Sequence, residues 1–244
     1  MTRPSKRKSD LESSAPAKTA RSDSVRSAVT KGYQRIDGLY NKYADKSSGI
    51  IDANMVPEGI EKLCSDIKVE YTDVRILMLA CLHIFMCFKE IECSKAGIFY
   101  SGMDEWRRGL KALKVDTMNK LKKALPELEK EVFKTENFED FYKYAFNYCL
   151  TEEKQKCLDI ESTCVLIDLV LGCQYQPQVA SFLKFLKFQS EYKVMNMDQW
   201  TSFLRFCQEI SFPDLQNYDT CLAWPLLLDN FVDWLKENAN VTSD

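Results

Sequence analysis

An all-α fold follows from three features of this chain. Apolar residues return at three- and four-residue spacing through most of it, the period of a half-buried helix. Glycine and proline are scarce, 8 and 7 in 244 residues, too few for the tight turns of an all-β architecture. Strand-like pieces are confined to short stretches near Gly49–Asp52 and Gly97–Tyr100. A hydrophobic content of 45%, with 12% aromatics, supports a sizeable core, which we place in one compact domain over residues 28–238.

The elements run as follows. Residues 1–27 hold seven basic residues against three acids and almost no large apolar side chain, so they are expected to stay disordered. Within them, Lys6-Arg7-Lys8 fits a short nuclear import signal and equally a solubilising tail. The helical pattern begins near Val29, with Ile36, Leu39, Tyr40 and Tyr43 on one stripe. A break at residues 45–49 precedes a helix over Pro57–Asp66, with Pro57 suited to its first turn. Thr72 or Asp73 is placed to cap a long apolar helix from Val74 to about Phe88. Met103–Lys114 follows. Asp116 is expected to cap Thr117–Leu125, and Pro126 to open a separate helix through Phe133. The aromatic run Phe138–Leu150 and the apolar Ile160–Leu171, stopped by Gly172, come next. Pro177–Glu191, Met197–Ile210 and Trp224–Asn238 complete the set, leaving 239–244 as a disordered end.

Several kinds of chemistry find no footing. The ten cysteines include no C-x-x-C pair, and His83 is the only histidine, so a zinc site lacks its ligands. With no apolar secretory segment, the thiols are expected to stay reduced and to serve as small core residues. Cys81 and His83 are two apart on a helix and point to different faces, and their apolar surroundings raise a thiol pKa. Phosphate-binding glycine motifs are absent from the sequence, as is any run of about 18 apolar residues. The stretch DKSSGIID between two helices has the look of an EF-hand loop. Counted from Asp45, however, position 5 is Gly49, position 6 is Ile50 and position 12 is Val56, so a calcium loop fails at three key places.

The most informative stretch is MNMDQWTSFLRFCQEISFPDLQNYDTCLAWPLLLDNFVDW. From Met195 to Asp244 eight acids face only Arg205 and Lys236. An acidic surface set with aromatic anchors suits a basic protein and repels nucleic acid. Asp198 and Asp229 lack a histidine or metal partner for acid–base work, and solvated helix acids are the plain alternative. Trp200, Trp224 and Trp234 sit at helical spacing with other apolar residues and are read as core anchors.

The pieces MDQW, NYD, AWP, LLLDNFV and DW, in that order and spacing, resemble the C-terminal signature of the defective-in-cullin-neddylation family, whose unit is the potentiating-neddylation domain. The resemblance reaches back to about Ser27. It implies an EF-hand-like N-terminal half, without calcium, packed on a C-terminal helical half. It also implies a non-catalytic scaffold with no cofactor, found in nucleus and cytoplasm and acting as a monomer. Such a scaffold promotes attachment of a ubiquitin-like modifier to cullins. Asp198, Ala223 and Asp229 match the family's patch for the basic C-terminal domain of a cullin, which brings the ring-finger subunit indirectly. Ile76, Leu79, Phe99, Tyr148, Leu166 and Leu169 match the apolar pocket for the acetylated N-terminus of the conjugating enzyme. Core packing is the plain alternative for those six.

One departure stands out. The family has Ala-Trp-Lys after the pocket helix and then Gly-x-Phe. Here Ala80 is followed by a longer apolar segment, residues 81–95, before Gly97 and Phe99. An inactive paralogue with a broken pocket is therefore the alternative to a working co-ligase, and a calcium-free helical interaction protein is another.

Overall fold

The computed structural model of the chain describes residues 18–44, 57–88, 103–152 and 154–241. Among them lie ten helices and one two-stranded ladder. The fold is predominantly all-α, as the spacing of apolar residues required. The candidate loop 45–56, the stretch 89–102 with its strand-like piece, and residues 1–17 lie outside the described residues.

Helix α1 spans Lys18–Tyr43 and buries Ile36, Tyr40 and Tyr43. Residues 18–27, assigned above to the tail, are helical. The segment KTARSDSVRS contains no glycine or proline, so a helix nucleated by the packed half propagates through it at little cost. Helix α2, Pro57–Ile67, meets the end of α1 closely: a Cβ on Gly59 would lie 2.0 Å from the Tyr43 carbonyl oxygen. The Tyr43 hydroxyl donates to Asp66 at 2.6 Å across the same junction. In α3, Val74–Phe88, Asp73 caps the start by accepting from the Arg75 backbone N–H at 2.9 Å. Helix α4, Met103–Ala112, buries Trp106, whose indole N–H donates to the Ile36 carbonyl at 3.2 Å.

Helix α5 is one element, Met118–Val132, with Pro126 inside it, where two helices were expected. Proline removes one backbone hydrogen bond there. Leu121, Leu125, Leu128 and Val132 nevertheless keep a single buried stripe across it, and that packing holds the helix together. Thr117, not Asp116, is the N-cap. Asp116 instead bridges Arg35 of α1 and Lys120 of α5 at 2.9 and 2.6 Å.

Helix α6, Thr135–Tyr148, packs on α3, α5, α7 and α9 and so joins the two halves. Its buried face is Phe138, Phe141, Tyr142, Ala145 and Phe146. Helix α7, Ile160–Leu171, ends at Gly172 as expected, though for a different reason. Gly172 is right-handed, with φ −55°, and the small residue is needed because a Cβ would meet the Asp168 carbonyl oxygen at 2.4 Å. Helix α8 is Gln176–Phe188, α9 Met197–Glu209 and α10 Leu226–Val241, which runs past Asn238.

The ladder was not foreseen. Strand β1, Cys157–Asp159, pairs antiparallel with β2, Val194–Asn196, with Leu158 opposite Met195. Each strand ends on the N-cap of the next helix. Asp159 accepts from Ser162 N–H at 2.8 Å, and Asn196 forms a reciprocal capping box with Gln199. Leu158 and Met195 are both buried, so the ladder pins the starts of α7 and α9 to one core. That core is a continuous cluster from Ile36 to Val232.

Candidate protein-docking site

The acidic site is built where α9 begins, where α10 begins, and on the loop between them. Asp198 stands exposed in the first turn of α9. Two residues on, Trp200 is wholly buried. Its indole N–H donates to the Tyr142 carbonyl at 2.9 Å, and the Tyr142 hydroxyl donates back to the Trp200 carbonyl at 3.1 Å. The two rings stack at 4.3 Å. A reciprocal pair of this kind fixes both the depth and the rotation of α9, and so the direction in which Asp198 faces solvent.

The loop 210–225 is tied down by side chains. Asn217 donates to the Glu209 carbonyl and accepts from Ser211 N–H, both at 2.7 Å. Trp224 is 7% exposed and packs its ring on Tyr218 at 5.5 Å. The Arg205 guanidinium lies 3.8 Å from the Trp224 ring centre, while its Nε pairs with Glu209 at 3.1 Å. The anchored tryptophan fixes its neighbour Ala223, which is exposed. The Tyr218 hydroxyl donates to Asp229 Oδ1 at 2.6 Å in the first turn of α10, where a carboxylate also suits the helix dipole. Burial first, and then the Asp229 carboxylate, push the Tyr218 phenol far above its ordinary pKa, so it stays a donor.

This arrangement presents negative charge without spending it internally. Among the described residues, no Lys or Arg is ion-paired with Asp198, Asp219, Asp229 or Asp233. Arg205, the one arginine of this acidic segment, is held by Glu209 and Trp224. The surface is acidic, and exposed Ala223 leaves it open between Trp224 and the exposed Leu222.

The expected pocket residues fall on three elements. Ile76 and Leu79 are on α3, Tyr148 ends α6, and Leu166 and Leu169 are on α7. Helix α6 packs against both of the others, which gathers the three elements around it. Leu166 is 5% exposed and the other four are half-buried against the core. Burial pushes the Tyr148 phenol up to about 12, with Tyr71 a lesser cause. Phe99 lies outside the described residues, as do Lys6, Arg7, Lys8 and residues 89–95 of the long apolar segment. Cys81 is 1% exposed and its thiol is pushed far up by burial, the reverse of a nucleophile's environment. Among the described residues no cluster of His, Cys, Asp or Glu is placed to hold a metal, and no helix is long and apolar enough to cross a membrane.

The chain is similar to known proteins. A cullin-binding family profile matches residues 120–234. Human DCN1-like protein 4 is 39% identical over 181 residues, 74% of this chain and 57% of that protein. Rat DCN1-like protein 5 is 36% identical over 180 residues, 74% of this chain and 70% of that one. The chain belongs to the DCN1-like family. Drosophila melanogaster DCN1-like protein 4 agrees, at 36% identity over 188 residues, 77% of this chain and 70% of the relative. The chain thus spans somewhat over half the length of the human DCN1-like protein 4. The family profile takes in Tyr148, Leu166, Leu169, Asp198, Ala223 and Asp229, and leaves out Ile76 and Leu79.

Two residues of the site were not singled out from sequence. Tyr218 lies in the NYD motif, and its partner is 11 residues away through a loop. Arg205 was counted only as one of the two cations opposing the acids. A signal for each was present: a tyrosine between carboxylates, and a lone arginine in an acidic segment.

Proposed function

We propose that this chain is a non-catalytic scaffold for cullin neddylation. Its acidic face docks the basic C-terminal domain of a cullin. A second, apolar site on α3, α6 and α7 takes the acetylated N-terminus of the conjugating enzyme, and the ring-finger subunit joins through the cullin. The contribution to rate is proximity and orientation, which raise effective molarity without new chemistry. A monomer working in nucleus and cytoplasm fits this reading, with Lys6-Arg7-Lys8 as its import signal.

The observation that carries the proposal is the set of carboxylates without internal cation partners around Ala223 and Tyr218. Family membership supplies the identity of the cationic partner. The apolar character of Ile76, Leu79, Tyr148, Leu166 and Leu169 supports the second site.

The test is a reconstituted neddylation assay with cullin C-terminal domain, ring-finger subunit and charged conjugating enzyme. Asp229→Lys removes one half of a charge pair and adds a repulsion, which costs roughly 2 kcal/mol or more at a half-buried site, about 30-fold in affinity. The expected result is stimulation by the parent and none by the variant. Cullin binding without stimulation would mean that the segment 81–95 has closed the pocket. Absence of both would end the co-ligase reading.

A further inference from the structure

Six large hydrophobic residues stand exposed among the described residues, and two of them, Leu222 and Leu226, frame the acidic site. Leu222 is 50% exposed and directly precedes Ala223, and Leu226 is 67% exposed at the start of α10. Leu226, Asp229 and Asp233 follow one another at i, i+3 and i+7, so leucine and acids share one helix face. The next two residues, Leu227 and Leu228, are wholly buried, so the exposure of Leu226 is not a matter of a loose helix end. Leu222 is held as firmly: its carbonyl accepts from the Trp224 N–H at 2.7 Å, and its N–H donates to the Asp219 carbonyl at 3.2 Å. Trp224 is itself clamped between Tyr218 and Arg205. One exposed leucine is ordinary on a protein surface. Two rigidly placed ones beside Ala223, rimmed by Asp219, Asp229 and Asp233, make an apolar centre with a charged rim, the common plan of a protein interface.

We infer that Leu222 and Leu226 are the apolar anchors of the docking site, and that its partner presents an aliphatic or aromatic side chain flanked by lysine or arginine. This rests on the cullin-docking reading and divides its labour. The carboxylates steer a basic partner and set the rate of encounter, whereas the leucines, dehydrated on contact, slow dissociation. The face fits a partner protein better than a nucleic acid, because Asp219, Asp229 and Asp233 on its rim repel phosphates.

The experiment measures association and dissociation of purified cullin C-terminal domain with its ring-finger subunit, at low and high salt, on the full chain. The double variant Leu222→Ser/Leu226→Ser changes only exposed side chains, and an unchanged melting temperature confirms its fold. Its dissociation is expected to speed by roughly 10- to 100-fold with association and salt dependence nearly unchanged, from the transfer value of two leucines. Asp229→Lys is expected to do the reverse, slowing association with a weakened salt dependence. Kinetics equal to the parent in the leucine variant, with Asp229→Lys still defective, would overturn the anchor role alone. Parent-like binding by Asp229→Lys would overturn the docking reading and this inference with it. Concentration-dependent self-association of the parent, lost in the leucine variant and without cullin binding, would give the leucines to a second copy of this chain and overturn the proposal.

Discussion

The bond from Tyr218 to Asp229 yields a prediction in which structure, pH and docking are separable. Tyr218→Phe removes one hydroxyl and leaves the ring on Trp224. A hydrogen bond to a charged group contributes about 1.5–3 kcal/mol when buried. Both partners here are half-buried and water can replace the lost donor, so about 1 kcal/mol is the reasonable share, or about 2–4 °C in melting temperature for a domain of this size. The pH dependence has a definite sign. The phenol pKa is raised in the folded state by burial and by Asp229. Its stabilising contribution is therefore complete below the unfolded value of about 10 and is lost as pH rises beyond it. Thermal unfolding of parent and variant from pH 6 to 11 should show a steady gap to about pH 9 and convergence above 10. Freed from its donor, the Asp229 carboxylate must be ordered by the incoming partner instead, at about 0.5–1.5 kcal/mol, two- to tenfold in Kd. A variant as stable as the parent at pH 7, or a gap unchanged through pH 11, would refute the claim that this hydroxyl holds the carboxylate.

Three further outcomes follow from the structure. Gly59→Ala should lower stability by about 2 kcal/mol through overpacking against the Tyr43 carbonyl, whereas helix propensity alone would predict a gain of about 1 kcal/mol; denaturant unfolding separates the two signs. Asp159→Ala should cost about 1 kcal/mol as a lost cap. Bonds from Ser162 hold the Asp159 carboxyl below its usual pKa, so the parent's advantage should be present above about pH 4 and vanish as pH falls further. Thiol labelling read by mass spectrometry should mark exposed Cys173 and Cys221 quickly, and Cys81 and Cys207 only on unfolding, because burial pushes the latter two thiols far up; fast labelling of Cys81 in the folded protein would contradict its burial.

Much of the fold was readable because long amphipathic or apolar segments carry their own period. Ile36, Leu39, Tyr40 and Tyr43 sit on a stripe visible in the sequence alone. Failures cluster where a tertiary contact outweighs a local rule. Pro126 signals a break, but the stripe on both sides of it belongs to one packed face. Gly172 signals a left-handed cap, yet its demand is for space beside Asp168. The ladder of Cys157–Asp159 and Val194–Asn196 is three residues on each side, too short for a two-residue alternation to register. Its existence depends on Leu158 and Met195 reaching a common core, which no local pattern expresses.

The docking site divides in the same way. The acidity of the segment is legible in its composition, whereas Asp198 and Asp229 are singled out as docking residues only by the family resemblance of MDQW and LLLDNF. How the acids are held is not legible, since Tyr142 and Trp200 are 58 residues apart and bind each other reciprocally. Arg205 shows why a count of charges is insufficient. In a tally it offsets one acid of the patch. In the fold it is consumed by Glu209 along its own helix and by the face of Trp224, so its charge supports the loop that carries Ala223 and leaves the carboxylates unanswered. On the docking proposal, a face meant for a basic partner is best served when its own arginine is engaged elsewhere, and here Arg205 is also the residue that braces the loop.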